Sequence, residues 1–135
     1  MRLIAYSDGA SRGNPGPAAI GALVLGEDGE LLTEISRQIG RGTNNEAEYR
    51  AAIAAVEAAI ALGARNVELR MDSELIVRQY NGAYRVRNPA LMRHFQRLDA
   101  LRHRLDRLDL VHVPREHNRE ADRLANRALD QRATD

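Results

Sequence analysis

The stretch that most restricts how this chain can fold is residues 42–48, Gly-Thr-Asn-Asn-Glu-Ala-Glu. Thr43 followed three residues later by Glu46 is a capping box, so a long helix starts here. At 100° per residue, Glu46, Arg50 and Glu57 fall within roughly 40° of one another and define a solvent face. Glu48 lies roughly 200° from Glu46, on the side of Ala47, Ala51, Ala55 and Ala58. A lone carboxylate buried there costs on the order of several kcal/mol unless something positive meets it. Two readings follow from the helix alone: Glu48 reaches solvent or pairs with an arginine, or it is a metal ligand.

The rest of the pattern alternates. Residues 2–8 read as a strand ending on Asp8, and residues 9–17, with Gly13-Asn14-Pro15-Gly16-Pro17, as a loop. Residues 18–26 and 31–39 are apolar runs around Glu27-Asp28-Gly29-Glu30, a hairpin signal. The helix from Thr43 is stopped by Gly63, which suits a C′ position. Residues 66–72 alternate Val67, Leu69 and Met71 as a strand, and Ser73 caps a short helix to about Tyr80. Asn88-Pro89 starts a helix whose apolar positions (Leu91, Phe95, Leu98, Leu101, Leu105) keep helical spacing to about residue 107. A strand over 108–113, a loop over 114–117, a helix over 118–130 and a frayed tail from 131 complete the chain.

The order β-β-β-α-β-α-α-β-α predicts an α/β fold with one five-stranded mixed sheet. Its first three strands are antiparallel, the others are added in parallel, and helices cover both faces. At 135 residues the chain is expected to be a single domain, residues 1–135. No cysteine is present, which excludes disulfides and thiolate metal sites and agrees with a cytoplasmic setting. No apolar run approaches the ~18 residues of a membrane span, so no membrane partner is expected. The net charge of +1 conceals an asymmetry. All basic residues are arginines, and residues 78–107 carry eight of them against Asp99 and Asp106. That segment is either a solvated helix face or a surface for a polyanion.

In open α/β sheets, ligand sites form beyond the carboxyl ends of parallel strands. Asp8 and Asp72 each close a strand placed in parallel, Glu48 points inward, and Asp122 opens the last helix. Singly these are a turn residue, a helix cap, a stray glutamate and an acid complementing a helix dipole. Together they are a cluster whose members repel by about 4 kcal/mol per pair at ~4 Å and an effective dielectric near 20. Its donors are hard oxygens, which suit Mg²⁺ or Mn²⁺. Two such ions about 3.5–4 Å apart would suit phosphodiester hydrolysis.

Four segments carry a family resemblance: Tyr6-Ser7-Asp8-Gly9-Ala10 with Gly13-Asn14-Pro15-Gly16-Pro17; Thr43-Asn44-Asn45-Glu46-Ala47-Glu48; Met71-Asp72-Ser73; and Arg115-Glu116-His117-Asn118-Arg119-Glu120-Ala121-Asp122-Arg123-Leu124-Ala125. In this order they resemble type 1 ribonuclease H, in a short form similar to archaeal and actinobacterial members. The resemblance implies a ribonuclease H fold and endonucleolytic cleavage of the RNA strand of RNA–DNA hybrids, leaving 5′-phosphate and 3′-hydroxyl ends. It implies that Asp8, Glu48, Asp72 and Asp122 are catalytic and hold two Mg²⁺ ions, for which Mn²⁺ substitutes. It places Gly9, Asn14, Thr43, Asn44 and Asn45 against the hybrid, with His117 and Asn118 in auxiliary roles. Arg85 and Arg87, from the arginine-rich segment, are expected to contact the hybrid as auxiliary residues, and a monomer is expected. The chain departs from the family where a lysine- and tryptophan-rich protrusion is common, since residues 84–91 are short. His117 also stands only five residues before Asp122. Competing readings are a resolvase- or integrase-like DNA nuclease, against which the Thr-Asn-Asn segment argues, and a non-catalytic nucleic-acid-binding module.

Overall fold

The computed structural model describes residues 1–132, which form a five-stranded sheet and four helices. In chain order these are β1 (Arg2–Ser11), β2 (Gly16–Gly26), β3 (Leu31–Gly42), α1 (Asn44–Ala61), β4 (Asn66–Met71), α2 (Glu74–Tyr80), α3 (Pro89–Arg102), β5 (Arg107–His112) and α4 (Arg119–Arg132). A 3₁₀ turn, Arg115–His117, precedes α4. The sheet order is β3-β2-β1-β4-β5, antiparallel across the first three strands and parallel from β1 through β4 to β5. The expected mixed sheet is therefore present, with every element in its expected place.

Several bounds differ from the sequence expectation. β1 does not end on Asp8 but pairs with β2 as far as Ser11–Ala18. The hairpin strands lengthen with it, so the expected loop over 9–17 shrinks to residues 12–15. α3 stops at Arg102, with His103 as its C-cap, although Leu105 keeps the apolar rhythm and is buried. α4 continues to Arg132, past the expected start of fraying at 131, and residues 133–135 lie outside the described residues.

Packing on each face follows from side-chain size. On one face, Leu3, Ala5, Val67, Leu69 and Met71 from the central strands meet α1 and α3 in the main core. α1 is alanine-rich where it faces the sheet (Ala47, Ala51, Ala52, Ala55, Ala59), so its backbone can approach closely. The contact with β1 is tight enough that a Cβ on Gly9 would lie 2.2 Å from the Ala47 carbonyl carbon. On the opposite face α4 lies across β2 with equal closeness, since a Cβ on Gly21 would lie 2.1 Å from the Ala121 oxygen. Glycine is required at both positions because backbone occupies the space a side chain would need. These two contacts fix the helices that carry Glu48 and Asp122.

Candidate active site

The site begins with strand register. Ser7 and Met71 are the last paired residues of the parallel β1–β4 ladder. The next residue on each strand is Asp8 and Asp72, and adjacent strands are about 4.8 Å apart. Beyond this point β4 stops while β1 runs on against β2, so the two aspartates sit where the sheet changes from parallel to antiparallel. α1 supplies the third acid. Thr43 caps it, its hydroxyl accepting the Glu46 N–H at 3.1 Å while Glu46 accepts the Thr43 N–H at 3.0 Å. Two residues on, Glu48 accepts the Gly9 N–H at 2.6 Å. One oxygen from each of Asp8, Glu48 and Asp72 lies within 4.8 Å of the others. Asp122, in the first turn of α4, lines the same pocket and helps to raise the Asp8 pKa.

Glu48 is thus neither solvated nor neutralised by a bonded arginine; it is 9% exposed and Asp8 6%. Burial is the main reason that Asp8 is held well above the carboxylate range, with the charges of Glu48, Asp72 and Asp122 adding to it. Burial raises Glu48 too, against the opposing pull of the Gly9 N–H; Asp72 raises it further and Arg115 lowers it. With Asp8 and Glu48 resisting ionisation at neutral pH, a cluster of hard oxygen donors here fits a divalent cation of the Mg²⁺ class. Without a cation, protons take that place.

The other predicted residues divide into three groups. Gly9, Asn44 and Asn45 line the acidic pocket. Asn44 accepts the Ser11 N–H at 2.9 Å, and Asn14 accepts the Asn44 N–H at 3.0 Å, tying the β1–β2 loop to the start of α1. Asn14 and Thr43 line a neighbouring pocket with Asn45, Glu46 and Asn88, beside rather than among the carboxylates. Arg85 and Arg87 are exposed in the segment between α2 and α3 and line neither pocket. His117 is exposed in the 3₁₀ turn and is not among the pocket residues. Glu74, two residues after Asp72, is paired with Arg78 at 2.6 Å.

Two residues matter more than the sequence suggested. Arg115, two positions before His117, lines the acidic pocket and carries the positive charge that acts on Glu48. Asn118 is 1% exposed, and its Nδ2 donates to the Ser7 carbonyl at 2.9 Å and to Asp72 at 3.2 Å. Its own carbonyl accepts the Asp122 N–H at 3.1 Å. One asparagine therefore joins β1, the acid after β4 and the start of α4. Beyond the pocket, Tyr49, the residue after Glu48, is fully buried. Its hydroxyl donates to Gln79 at 2.5 Å, and burial pushes its pKa up to about 12.

A mixed sheet in this order, with an acidic pocket where it changes direction, defines a ribonuclease H-like protein. The Reverse transcriptase-like family profile matches residues 6–128. Ribonuclease HI of Halobacterium salinarum is 50% identical over 129 residues, covering 96% of this chain and 65% of that protein. A bifunctional protein of Mycobacterium tuberculosis is 44% identical over 131 residues, covering 96% of this chain and 36% of that protein. The chain thus spans less than two thirds of the length of these curated relatives. The crystal structure of ribonuclease H1 from Halobacterium salinarum superposes with a TM-score of 0.95 at 49% identity, covering 97% of this chain and 99% of that one. A compost-derived ribonuclease H1, solved in complex with an RNA/DNA hybrid, gives 0.92 at 45% identity, covering 97% and 99%. The chain belongs to the type 1 ribonuclease H family, whose members depend on metal.

Proposed function

We propose that this chain is an endoribonuclease that hydrolyses the RNA strand of RNA–DNA hybrids, leaving 5′-phosphate and 3′-hydroxyl ends. The observation that carries the reading is the buried convergence of Asp8, Glu48 and Asp72, with Asp122 at its edge. These four residues would hold two Mg²⁺ ions, with Mn²⁺ as a substitute. Bound there, the ions supply the charge that activates a water and stabilises the leaving oxygen of a phosphodiester.

The chain's own residues do the rest. The Gly9 N–H orients Glu48, and Asn118 holds one oxygen of Asp72, so the donor set stays aimed at one point. Asn44 and Asn45 offer amide groups on the pocket wall to 2′-hydroxyls, which distinguish RNA from DNA. Asn14 and Thr43, at the positive end of α1, suit a phosphate of the DNA strand. Arg115 faces the carboxylates and suits the scissile phosphate. Arg85 and Arg87 extend the contact electrostatically, away from the chemistry. In this reading the described residues act as one ribonuclease H domain, as a monomer, on hybrids in the cytoplasm. Among the described residues no helix is long and apolar enough to cross a membrane.

Labelled hybrid, duplex RNA and duplex DNA, each incubated with Mg²⁺ or with chelator, test the reading. Cleavage of the hybrid's RNA strand is expected only with metal and is expected to disappear in Asp72→Asn. Unchanged cleavage in that variant refutes the site, and cleavage of duplex DNA would favour the resolvase-like alternative.

A further inference from the structure

On the flank of α1 away from the acids, a second concentration of charge has no place in this chemistry. A cleft of ≈ 160 Å³ opens between α1, α3 and the β2–β3 part of the sheet. Its apolar wall includes Ile53, and its rim carries Arg37 from β3, Arg50 from α1, and His94 and Arg97 from α3. The rim holds one carboxylate, Glu57, which pairs with Arg97 at 3.2 Å; both side chains are well exposed, so the pair is weak. Arg50 donates to the Ile39 carbonyl at 3.1 Å, which occupies one donor and leaves its charge uncancelled. The Arg37 side chain has no hydrogen bond or ion pair among the described residues. Three guanidinium groups and one carboxylate thus leave the cleft positive.

His94 is the fourth group. Its ring stacks on buried Tyr49 at 6.4 Å between centroids, and it lies within the electrostatic reach of Glu46, Arg50, Arg93 and Arg97. Partial burial, then the three arginines, lower its pKa against the opposing effect of Glu46. At neutral pH it is therefore an uncharged ring with an N–H to offer. An ordinary solvated ridge of arginines would be convex, with its charges spread apart. Here cations from three separate elements turn toward one concavity with an apolar wall, at a cost in mutual repulsion. An oxyanion removes that cost and uses the remaining guanidinium donors.

The geometry points to this cleft as a phosphate-binding site, with Arg37, Arg50 and Arg97 around the oxyanion and His94 donating to it. The phosphate has two sources. One is the strand of a bound hybrid continuing beyond the acidic pocket, and this source rests on the nuclease reading above. The path exists: the acidic pocket and the Asn14–Thr43 pocket share Asn45, and Glu46 in the latter is one helical turn from Arg50. The other is free phosphate, which requires nothing of the nuclease reading.

Titration of the His94 ring by NMR in the full chain tests the site. Inorganic phosphate is compared with chloride at matched ionic strength, and RNA–DNA hybrid is added in chelator so that nothing is cut. A bound phosphate is expected to raise the His94 pKa by on the order of one pH unit, the usual effect of an opposite charge within about 4–6 Å. His103 and His112 serve as internal references, and the combined Arg37→Gln and Arg97→Gln variant is expected to remove the rise. A rise with inorganic phosphate supports a free-anion site, whereas a rise with hybrid alone supports a strand phosphate. No rise with either, or an equal rise at His94, His103 and His112, overturns the proposal. Hybrid cleavage by the wild type, measured separately, shows whether the nuclease reading has failed as well.

Discussion

Asp8→Asn should make the metal-free protein more stable, and the gain should depend on pH. The ligand oxygens of Asp8, Glu48 and Asp72 lie within 4.8 Å of one another. Unit charges at that spacing repel by ~3.5 kcal/mol per pair at an effective dielectric near 20. Asparagine at position 8 removes two of the three pairs, so with these three acids fully ionised the relief is on the order of 7 kcal/mol. Protonation relieves the wild type before full ionisation is reached. The Asp8 pKa is raised in the folded state, so the fold holds a proton that the unfolded chain releases. Wild-type stability therefore falls as pH climbs above the ordinary carboxyl value of 3.8, by at most ~1.4 kcal/mol per pH unit for this group, until the folded-state value is passed. With the half-open pocket admitting water and salt, the variant should exceed the wild type by ~2–4 kcal/mol near pH 8 and by almost nothing near pH 4. Millimolar Mg²⁺ should narrow the gap, because only the wild type retains the full ligand set, and ~100-fold saturation is worth ~2.7 kcal/mol. Urea unfolding of both proteins at two pH values, in chelator and in Mg²⁺, measures all eight stabilities. If Asp8→Asn is no more stable than the wild type in chelator near pH 8, or if Mg²⁺ shifts both equally, the carboxylates are not repelling one another around a shared cation site.

Three further perturbations probe the supports of the site. Gly21→Ala would place a Cβ 2.1 Å from the Ala121 oxygen and 2.5 Å from the Ala125 nitrogen. Moving α4 should cost at least ~1–3 kcal/mol in urea unfolding, and displacing Asp122 should lower cleavage; wild-type stability would mean α4 has room to spare. Asn118→Ala deletes two hydrogen bonds, one to a charged group, and should cost ~1–3 kcal/mol while weakening metal affinity and kcat. If stability alone falls, Asn118 supports only the fold. Neutralising Arg85 and Arg87 together should weaken hybrid binding and flatten its salt dependence, by up to ~0.9 in the log–log slope for each phosphate that is no longer neutralised. A slope equal to that of the wild type would return both residues to the solvated surface.

The helix starts and the inward direction of Glu48 are legible in the sequence because they depend on local rules: a capping box, a proline at the first helical position, the angular spacing of alanines. The β1 overrun is not. Gly9, Ala10 and Ser11 carry a weak strand preference of their own and are held by pairing with β2, a long-range contact with no local signature. Gly9 reads as a turn residue, yet its role is to let α1 touch the strand. The end of α3 differs from expectation for a related reason. Leu105 is buried, so the apolar rhythm reports burial correctly, but the chain reaches that position through a turn after His103 rather than through helix. In the site, His117 stands out because histidine is rare here, whereas Arg115 is one arginine among the 20 basic residues of a lysine-free chain. Asn118 looks like a cap, and its bond to Asp72 joins residues 46 apart.

The four acids are placed by three separate contacts, and that independence is what makes the cluster sustainable. Asp8 and Asp72 are set by the β1–β4 register, Glu48 by the Gly9–Ala47 approach, and Asp122 by the seating of α4 on Gly21. None of these contacts involves a carboxylate, so the repulsion among the acids acts on a scaffold whose cohesion lies in alanine, leucine and valine packing elsewhere. Had the acids shared one loop, a few kcal/mol of repulsion would have opened it. Distributed over the sheet and two tightly packed helices, the same repulsion has no soft coordinate along which to relax, and the remaining outlet is a proton or a cation. Metal dependence is on this view a consequence of rigid packing, as much as of the choice of side chains.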